Sequence, residues 1–346
     1  MKLVPLFGGL FFFACCASTN AAEISGGDAA GLADTGIEQD SLELELVNDT
    51  ITICSFNIQF LGSFKDRKDS LLADVLDPYD IVVIQEMVSP PIDGFFPDGT
   101  AYSADKESQE FVQEMEGQGF TYWLSEEDTG PKQNHTNSTG SEWWITFYRP
   151  EKVVPDSSRY YGFLDTLHTL NPDFDRVPFA FPFKSLDERN DFTLISVHLK
   201  PGNGTVDRAR RQHELVALFD WVKVQEKEEE NHDFIILGDC NIYKLSEFEH
   251  FEEQGVFSLN RNCQSTNTKL YELASKGRPY DHVFSSSAST EEIIETSFTV
   301  VDIMEVVRPH FEGDFPFEPY SHDFFRTRLS DHLPVTFQLI IGVDSD

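Results

Sequence analysis

Six short apolar runs, spaced so that helical stretches fit between several of them, do most to limit what this chain can become. They are I-T-I-C-S-F (51–56), D-I-V-V-I-Q (80–85), W-W-I-T-F-Y (143–148), D-F-T-L-I-S-V (191–197), F-I-I-L-G (234–238) and P-V-T-F-Q-L-I-I (334–341). Their length and their β-branched and aromatic content predict strands. The stretch V-D-R-A-R-R-Q-H-E-L-V-A-L-F-D-W-V-K-V-Q-E (206–226) predicts a helix, with positions 215, 218, 219 and 222 on one apolar face and Asp207 near its start. Strands interleaved with helices imply an α/β or α+β domain. With 346 residues, 40% of them hydrophobic, a sizeable core is available, and one catalytic domain over 51–346 is the simplest account.

Most of these runs are bordered by a residue suited to metal or proton chemistry. The first is followed by Asn57, the second by Glu86, D-F-T-L-I-S-V by His198, and F-I-I-L-G by Asp239 and Asn241. Y-D-H-V-F carries Asp281, and S-D-H-L-P-V places Asp331 and His332 just before the last run. In an extended chain the side chains at i and i+2 point the same way, so Asp239 and Asn241 share a face and Cys240 takes the other. Any one of these residues has an ordinary use, closing a turn or meeting solvent, and a single histidine is more often structural. Their concurrence at strand ends, where rigid scaffolds present functional groups, points to a site. Oxygen ligands without thiolates or clustered histidines select a hard cation, Mg²⁺ first with Mn²⁺ or Ca²⁺ as substitutes, and such an ion suits a phosphate ester. Two histidines, each with a carboxylate partner, supply a base for attacking water and an acid for a leaving oxygen.

Charge limits how a substrate is recruited. Sixty acidic residues against 26 basic ones give a net charge of −34, so the surface as a whole does not attract nucleic acid or anionic lipid. An anionic substrate must be held locally, by a metal or a few basic groups. Met1-Lys2, an apolar run and small residues through S-T-N-A-A predict a secretory leader over 1–22 with cleavage near Ala21 or Ala22, hence a secreted or periplasmic protein. A lipoprotein cleavage before Cys15 fits less well after Phe12-Phe13-Ala14. The run is too short to span a bilayer, and no stable membrane association is expected. Residues 23–50 read as an acidic flexible linker. Loss of the leader leaves Cys54, Cys240 and Cys263, enough for one disulfide at most. Cys240 with Cys263 is the pair to test, although a strand cysteine is more often a small buried hydrophobe.

Seven segments, S-F-N-I-Q (55–59), I-Q-E-M (84–87), S-E-W-W-I-T-F-Y-R-P (141–150), S-V-H-L-K (196–200), G-D-C-N (238–241), Y-D-H-V-F (280–284) and S-D-H-L-P-V (330–335), together resemble the endonuclease/exonuclease/phosphatase superfamily in kind and order. Within it they resemble the deoxyribonuclease I-like enzymes. The resemblance implies a four-layer sandwich, two packed β-sheets flanked by helices, and metal-dependent hydrolysis of phosphate esters. It implies Glu86 as the principal metal ligand, with Asn57 close by and Asp331 as a further ligand. Asp239 and Asn241 would hold the scissile phosphate, the nucleophilic water or a second ion. His198 would pair with Glu142, and His332 with Asp281. Arg176, in F-D-R-V-P-F, matches an arginine that contacts phosphate in deoxyribonuclease I-like members, a surface ion pair being its ordinary alternative. Gly140 stands where the nuclease pattern can carry a tyrosine that packs on DNA, so that contact is in doubt.

A superfamily fold does not fix a substrate. Arg176 and the basic residues Lys200, Arg208, Arg210 and Arg211 lean towards a secreted, monomeric DNA endonuclease, although Asp207 and Glu214 make an ordinary mixed-charge helix start the competing account. The alternative is a sphingomyelinase-like lipid phosphodiesterase, for which G-F-F-P (94–97) and H-F-E-G-D-F-P-F-E-P-Y (310–320) are the candidate membrane contacts. A catalytically inactive binding protein is the third reading, and the full set of acids, amides and histidines stands against it.

Overall fold

The apolar runs become strands of two sheets in a computed structural model of the protein, which describes residues 50–129, 142–164, 171–228, 233–286 and 292–341. The leader, the linker up to residue 49 and Gly140 lie outside the described residues. In chain order the strands are β1 (Thr50–Leu61), β2 (Ile81–Met87), β3 (Gly94–Phe95), β4 (Ala101–Tyr102), β5 (Thr121–Leu124), β6 (Trp143–Tyr148), β7 (Val153–Pro155) and β8 (Gly162–Phe163). They continue as β9 (Phe179–Ser185), β10 (Asp191–His198), β11 (Asp233–Asp239), β12 (Val256–Ser258), β13 (Asp281–Ser286), β14 (Thr299–Val300) and β15 (Val335–Ile340). The α-helices are α1 (Asp69–Leu76), α2 (Lys106–Gly117), α3 (Thr205–Glu228), α4 (Ile303–Val307) and α5 (His322–Arg326).

One sheet runs β14-β15-β1-β2-β6-β5 and the other β12-β13-β11-β10-β9-β7, with β8 paired to β9 and β3-β4 a separate hairpin. Each large sheet is built around one parallel pair, β1 with β2 and β10 with β11. The flanking strands β15, β6, β9 and β13 run antiparallel to them. The C-terminal ends of a parallel pair therefore lie at the same sheet edge as the starts of the antiparallel neighbours. That edge receives Asn57, Glu86 and the residues just before β6 and β15 from one sheet, and His198, Asp239 and Asp281 from the other.

Strand alternation divides the core into layers. Ile53, Ile81, Val83 and Trp144 of the first sheet share a buried cluster with Phe181, Leu194 and Leu237 of the second. On the opposite face of the first sheet, Phe56, Val82, Ile84, Ile145 and Phe147 pack with Leu72 of α1 and Phe111 and Met115 of α2. Leu215, Leu218, Phe219 and Val222 of α3 are buried as the apolar face predicts. The Phe219 ring stands 5.5 Å from that of Phe284 on β13. Helices outside and two sheets inside make the four-layer sandwich expected from the motifs, with each buried Leu, Ile, Val or Phe contributing about 1.5–3 kcal/mol. The central strands β2 and β11 are buried along their whole length, which explains their almost unbroken apolar runs.

One strand departs from the sequence expectation, and the cysteines take the commoner of their two expected roles. Strand β9, F-A-F-P-F-K-S, escapes the strand pattern because Pro182 sits inside it; Pro182 has no N–H to donate, and its carbonyl accepts the Asp156 N–H at 2.9 Å. Cys54, Cys240 and Cys263 are all free, so the Cys240–Cys263 bridge is absent. Cys240 is instead fully buried in the core cluster, on the side of the chain away from Asp239, and serves as a small hydrophobe.

Candidate active site

Backbone irregularity aims the site residues. The pairing of β1 with β2 shifts between Asn57 and Leu61, and that of β2 with β6 between Ile84 and Met87. Bulges of this kind bend a strand and redirect a side chain. Within them Gln59, Phe60 and Glu86 take φ values of 57°, 52° and 64°, and Asn241 takes 49°. Such left-handed non-glycine conformations cost about 1–3 kcal/mol each and persist only where surrounding contacts hold them. Gly238 has φ 143°, and a Cβ there would lie 2.1 Å from the Val197 carbonyl oxygen. The glycine of G-D-C-N is therefore what allows β11 to lie beside β10 with Asp239 opposite His198.

Asp239 is the meeting point of the two sheets. Its Oδ2 lies 3.4 Å from His198 Nε2 and 3.6 Å from His332 Nε2, and it accepts from Asn57 Nδ2 at 3.0 Å. Its Oδ1 accepts the Asn241 N–H at 2.8 Å. Each imidazole turns its other nitrogen to a carboxylate: His198 Nδ1 lies 2.7 Å from Glu142 Oε1, and His332 Nδ1 2.8 Å from Asp281 Oδ2. Glu142 also accepts the Glu86 N–H at 3.3 Å and lies 2.5 Å from Arg176 Nε. Glu86 accepts from Asn57 Nδ2 at 3.0 Å and from the Phe60 N–H at 3.1 Å. Asn241 donates its Nδ2 to the Leu199 carbonyl. Glu86, Arg176, His198, Asp239, Asn241, Asp331 and His332 all line one pocket of about 310 Å³.

The electrostatics follow from burial among like and unlike charges. Burial raises the Glu86 carboxyl; His198 pulls it back, while Glu142 and Asp331 add to the rise. Burial also pushes Glu142 up, but His198 and Arg176 outweigh it and hold that carboxyl below the ordinary range. Burial lowers His198, with Arg176 acting the same way, yet Glu142 and Asp239 prevail and the imidazolium is favoured. For His332 burial is overcome by Asp281 and Asp239, and its pKa lies well above the usual value. Asp281 is raised by burial against the pull of His332.

These side chains fit a divalent cation. Glu86, Asp239 and Asp331 bring carboxylates into one pocket, and Asp331 Oδ1 is a buried oxygen with no hydrogen-bond partner. Glu86, His198 and Asp239 place one ligand atom each within 4.8 Å of one another, as do Asp239, Asp281 and His332. The carboxylates of Glu86, Asp239 and Asp331 are the oxygen donors in this pocket that suit a hard ion. Asn57, expected beside the metal, turns its amide nitrogen to Glu86 and Asp239, and its Oδ1 accepts the Gln59 N–H at 2.9 Å. In this arrangement it lies beside Glu86 and bridges two carboxylates.

Of the two accounts of the basic residues after His198, the mixed-charge helix start fits the pairing of Lys200, Arg210 and Arg211 with carboxylates. Arg211 is fully buried, pairs with Glu247 at 2.5 Å and donates to the carbonyls of Lys200 and Gly202. Lys200 and Arg210 both pair with Asp175, at 3.1 and 3.0 Å, and Arg208 donates to Asn203. The sequence also did not disclose what braces the site. Arg67, buried, donates to the carbonyls of Ile58, Gln59 and Leu329 and pairs with Glu107 at 2.9 Å. Ser330, fully buried, donates to the Asn57 carbonyl at 2.7 Å and accepts the His332 N–H at 3.0 Å. The S in S-D-H-L-P-V was the available signal for the second brace; nothing local marks Arg67.

No protein-family model matches the sequence, and no curated protein matches it. Solved structures do match in fold. An endonuclease/exonuclease/phosphatase family protein from Bacteroides thetaiotaomicron aligns with a TM-score of 0.52 and 17% identity, over 86% of this chain and 96% of that one. The endonuclease/exonuclease/phosphatase from Bacteroides vulgatus gives 0.51 and 15%, over 85% and 100%. D. rerio TDP2, in a crystal structure complexed with single strand DNA product, gives 0.50 and 13%, over 84% and 98%. The protein therefore has the endonuclease/exonuclease/phosphatase fold, the one its motifs resemble.

Proposed function

We propose that this protein is a metal-dependent phosphodiester hydrolase acting on nucleic acid. The observation that carries the reading is Asp239 Oδ2 between two imidazole Nε2 atoms, each imidazole backed by a buried carboxylate. A cation held by Glu86 with Asp331 would polarise the phosphate and offset charge developing on its oxygens. Glu142 and Asp281 fix which face of each ring points into the pocket and favour the imidazolium state. One histidine, neutral before the step, accepts a proton from the attacking water, and the other, an imidazolium before the step, delivers one to the leaving oxygen. Asn57 and the Asn241 N–H hold Asp239 in place between the rings. Arg176, aimed at Glu142 and lining the pocket, positions Glu142 and leaves its remaining N–H groups for a phosphate oxygen.

Nucleic acid is favoured over lipid because the aromatic rings of one of the two candidate membrane segments turn to one another: Phe311, Phe315 and Phe317 pack together, the first two half-buried and Phe317 buried. In the other, Phe95 is exposed but Phe96 is buried against Tyr102 and Trp143. Among the described residues no helix is long and apolar enough to cross a membrane. Export through the leader belongs to the same proposal, with a mature chain expected to start near Ala22 or Glu23 by N-terminal mass spectrometry. A panel of plasmid DNA, single-stranded DNA, RNA and sphingomyelin, each with Mg²⁺ and with EDTA, tests the function. Hydrolysis of a nucleic acid that EDTA abolishes is expected; activity on sphingomyelin alone would overturn the assignment.

A further inference from the structure

The pocket holds a positive charge that the catalytic centre does not use. Of the lysine and arginine side chains lining it, Arg176 is committed to Glu142, whereas Lys269 is exposed and makes no ion pair among the described residues. Other basic side chains near the site are paired with carboxylates, Lys200 and Arg210 with Asp175 and Arg211 with Glu247. Lys269 is also placed firmly: the N–H of its neighbour Thr268 donates to the Asp331 carbonyl at 2.8 Å, and Asn267 bridges to His332. The base of the lysine is thus tied to the loop that carries Asp331 and His332.

Beside it stands a rigid aromatic wall. Tyr280 lies 5.7 Å from the His332 ring and 5.1 Å from Tyr243, both by ring centroids. Tyr243 in turn is backed by the guanidinium of buried Arg211, 5.6 Å from its ring centre. Tyr243 and Tyr280 line the pocket with Lys269. Planar, pre-ordered rings of this kind stack a base at low entropic cost.

We propose that Lys269 takes a second phosphate of the substrate, next to the one bound beside Arg176 in the same pocket, and that the Tyr243–Tyr280 wall packs against the intervening nucleoside. The substrate is then an unpaired nucleotide unit bearing two phosphates, a stretch or end of a single strand. This rests on the hydrolase reading above and narrows its substrate. A long duplex would need a run of unpaired cations along its backbone, and of the basic residues after His198 Lys200, Arg210 and Arg211 are instead paired with carboxylates.

Calorimetric titration of the full chain in Mg²⁺ with thymidine 3′,5′-bisphosphate, with each thymidine monophosphate and with inositol 1,4-bisphosphate tests it. The nucleoside bisphosphate is expected to bind about tenfold or more tighter than either monophosphate, as one charge-assisted contact allows. Lys269→Met should remove that advantage and Lys269→Arg restore it. A bisphosphate bound no tighter than the monophosphates, or an advantage surviving in Lys269→Met, would overturn the second phosphate site. Inositol 1,4-bisphosphate binding as tightly as the nucleoside would overturn the aromatic wall as a nucleoside contact. Turnover of bis(4-nitrophenyl) phosphate, which has one phosphate, separately tests the hydrolase reading, and its absence would sink that reading without touching the binding comparison.

Discussion

His198 and His332 are alike in wiring and different in surroundings. Each has Nδ1 against a carboxylate and Nε2 towards Asp239, but the Arg176 guanidinium opposes the charge on His198, whereas Asp331 adds to the carboxylates that favour it on His332. Replacing either with alanine is expected to lower kcat by about 10²–10⁴, the usual worth of a general acid or base. A circular-dichroism melt of each variant separates lost chemistry from lost folding. A third histidine acts on stability. His282 is fully buried, with Nδ1 2.7 Å from the Ser258 hydroxyl and Nε2 2.9 Å from the Pro279 carbonyl, and burial depresses it from 6.5 to about 3. The unfolded chain therefore binds this proton more readily than the folded one. The contribution of neutral His282 is complete above pH 6.5 and is lost as pH falls towards about 3, with a slope of about 1.4 kcal/mol per pH unit inside that window. Denaturant melts of His282→Gln between pH 6 and 4 should show a shallower fall than the wild type; equal slopes would contradict it. At this scale the residue types were legible because they follow apolar runs, but the direction of an amide was not. Asn57 was readable as a site residue, and only its contact with Gln59 reveals which end of its side chain faces the carboxylates.

Strands were legible where both faces are apolar and hidden where a special residue interrupts the pattern, as Pro182 does in β9. The helix α3 was legible as an element, yet the fate of its basic start was not. Arg211 lies one turn before Leu215 on the buried side, and only tertiary packing supplies Glu247 as its partner. Arg67 is the strongest case of this kind, since it joins the end of β1 to the Leu329 carbonyl 262 positions away. Arg67→Met should leave Glu107 with no opposite charge and the carbonyls of Ile58, Gln59 and Leu329 without their donor. Breaking a buried pair in this way is expected to cost about 3–5 kcal/mol, read as a lower denaturation midpoint. Gly238→Ala should destabilise as well, because the Val197 carbonyl that its Cβ would strike is backbone and cannot rotate away. A melting temperature unchanged in Gly238→Ala would contradict the close approach of β10 and β11.

Taken whole, the molecule places two parallel strand pairs so that their ends face one another, and gathers Glu86, Asp239 and Asp331 where the two sheets meet. Carboxylates so close repel one another in the absence of a cation, so Mg²⁺ should stabilise the folded chain by about 2.7 kcal/mol at a hundred times its dissociation constant. The rise in melting temperature with Mg²⁺ should be smaller in Asp331→Asn and Glu86→Gln; identical rises in all three proteins would place the ion elsewhere. In a chain of net charge −34, Arg176 and Lys269 are the arginine and lysine that line the pocket, and a phosphate chain is proposed to meet the protein there. Cleavage of a single-stranded oligonucleotide by the full chain, followed in Mg²⁺ and in EDTA beside folded His198→Ala and His332→Ala, tests the two-histidine centre most directly. Rapid cleavage by the wild type in Mg²⁺, none in EDTA, and a loss of at least about a hundredfold in each variant are expected. Wild-type rates in either variant, or cleavage indifferent to EDTA, would contradict it.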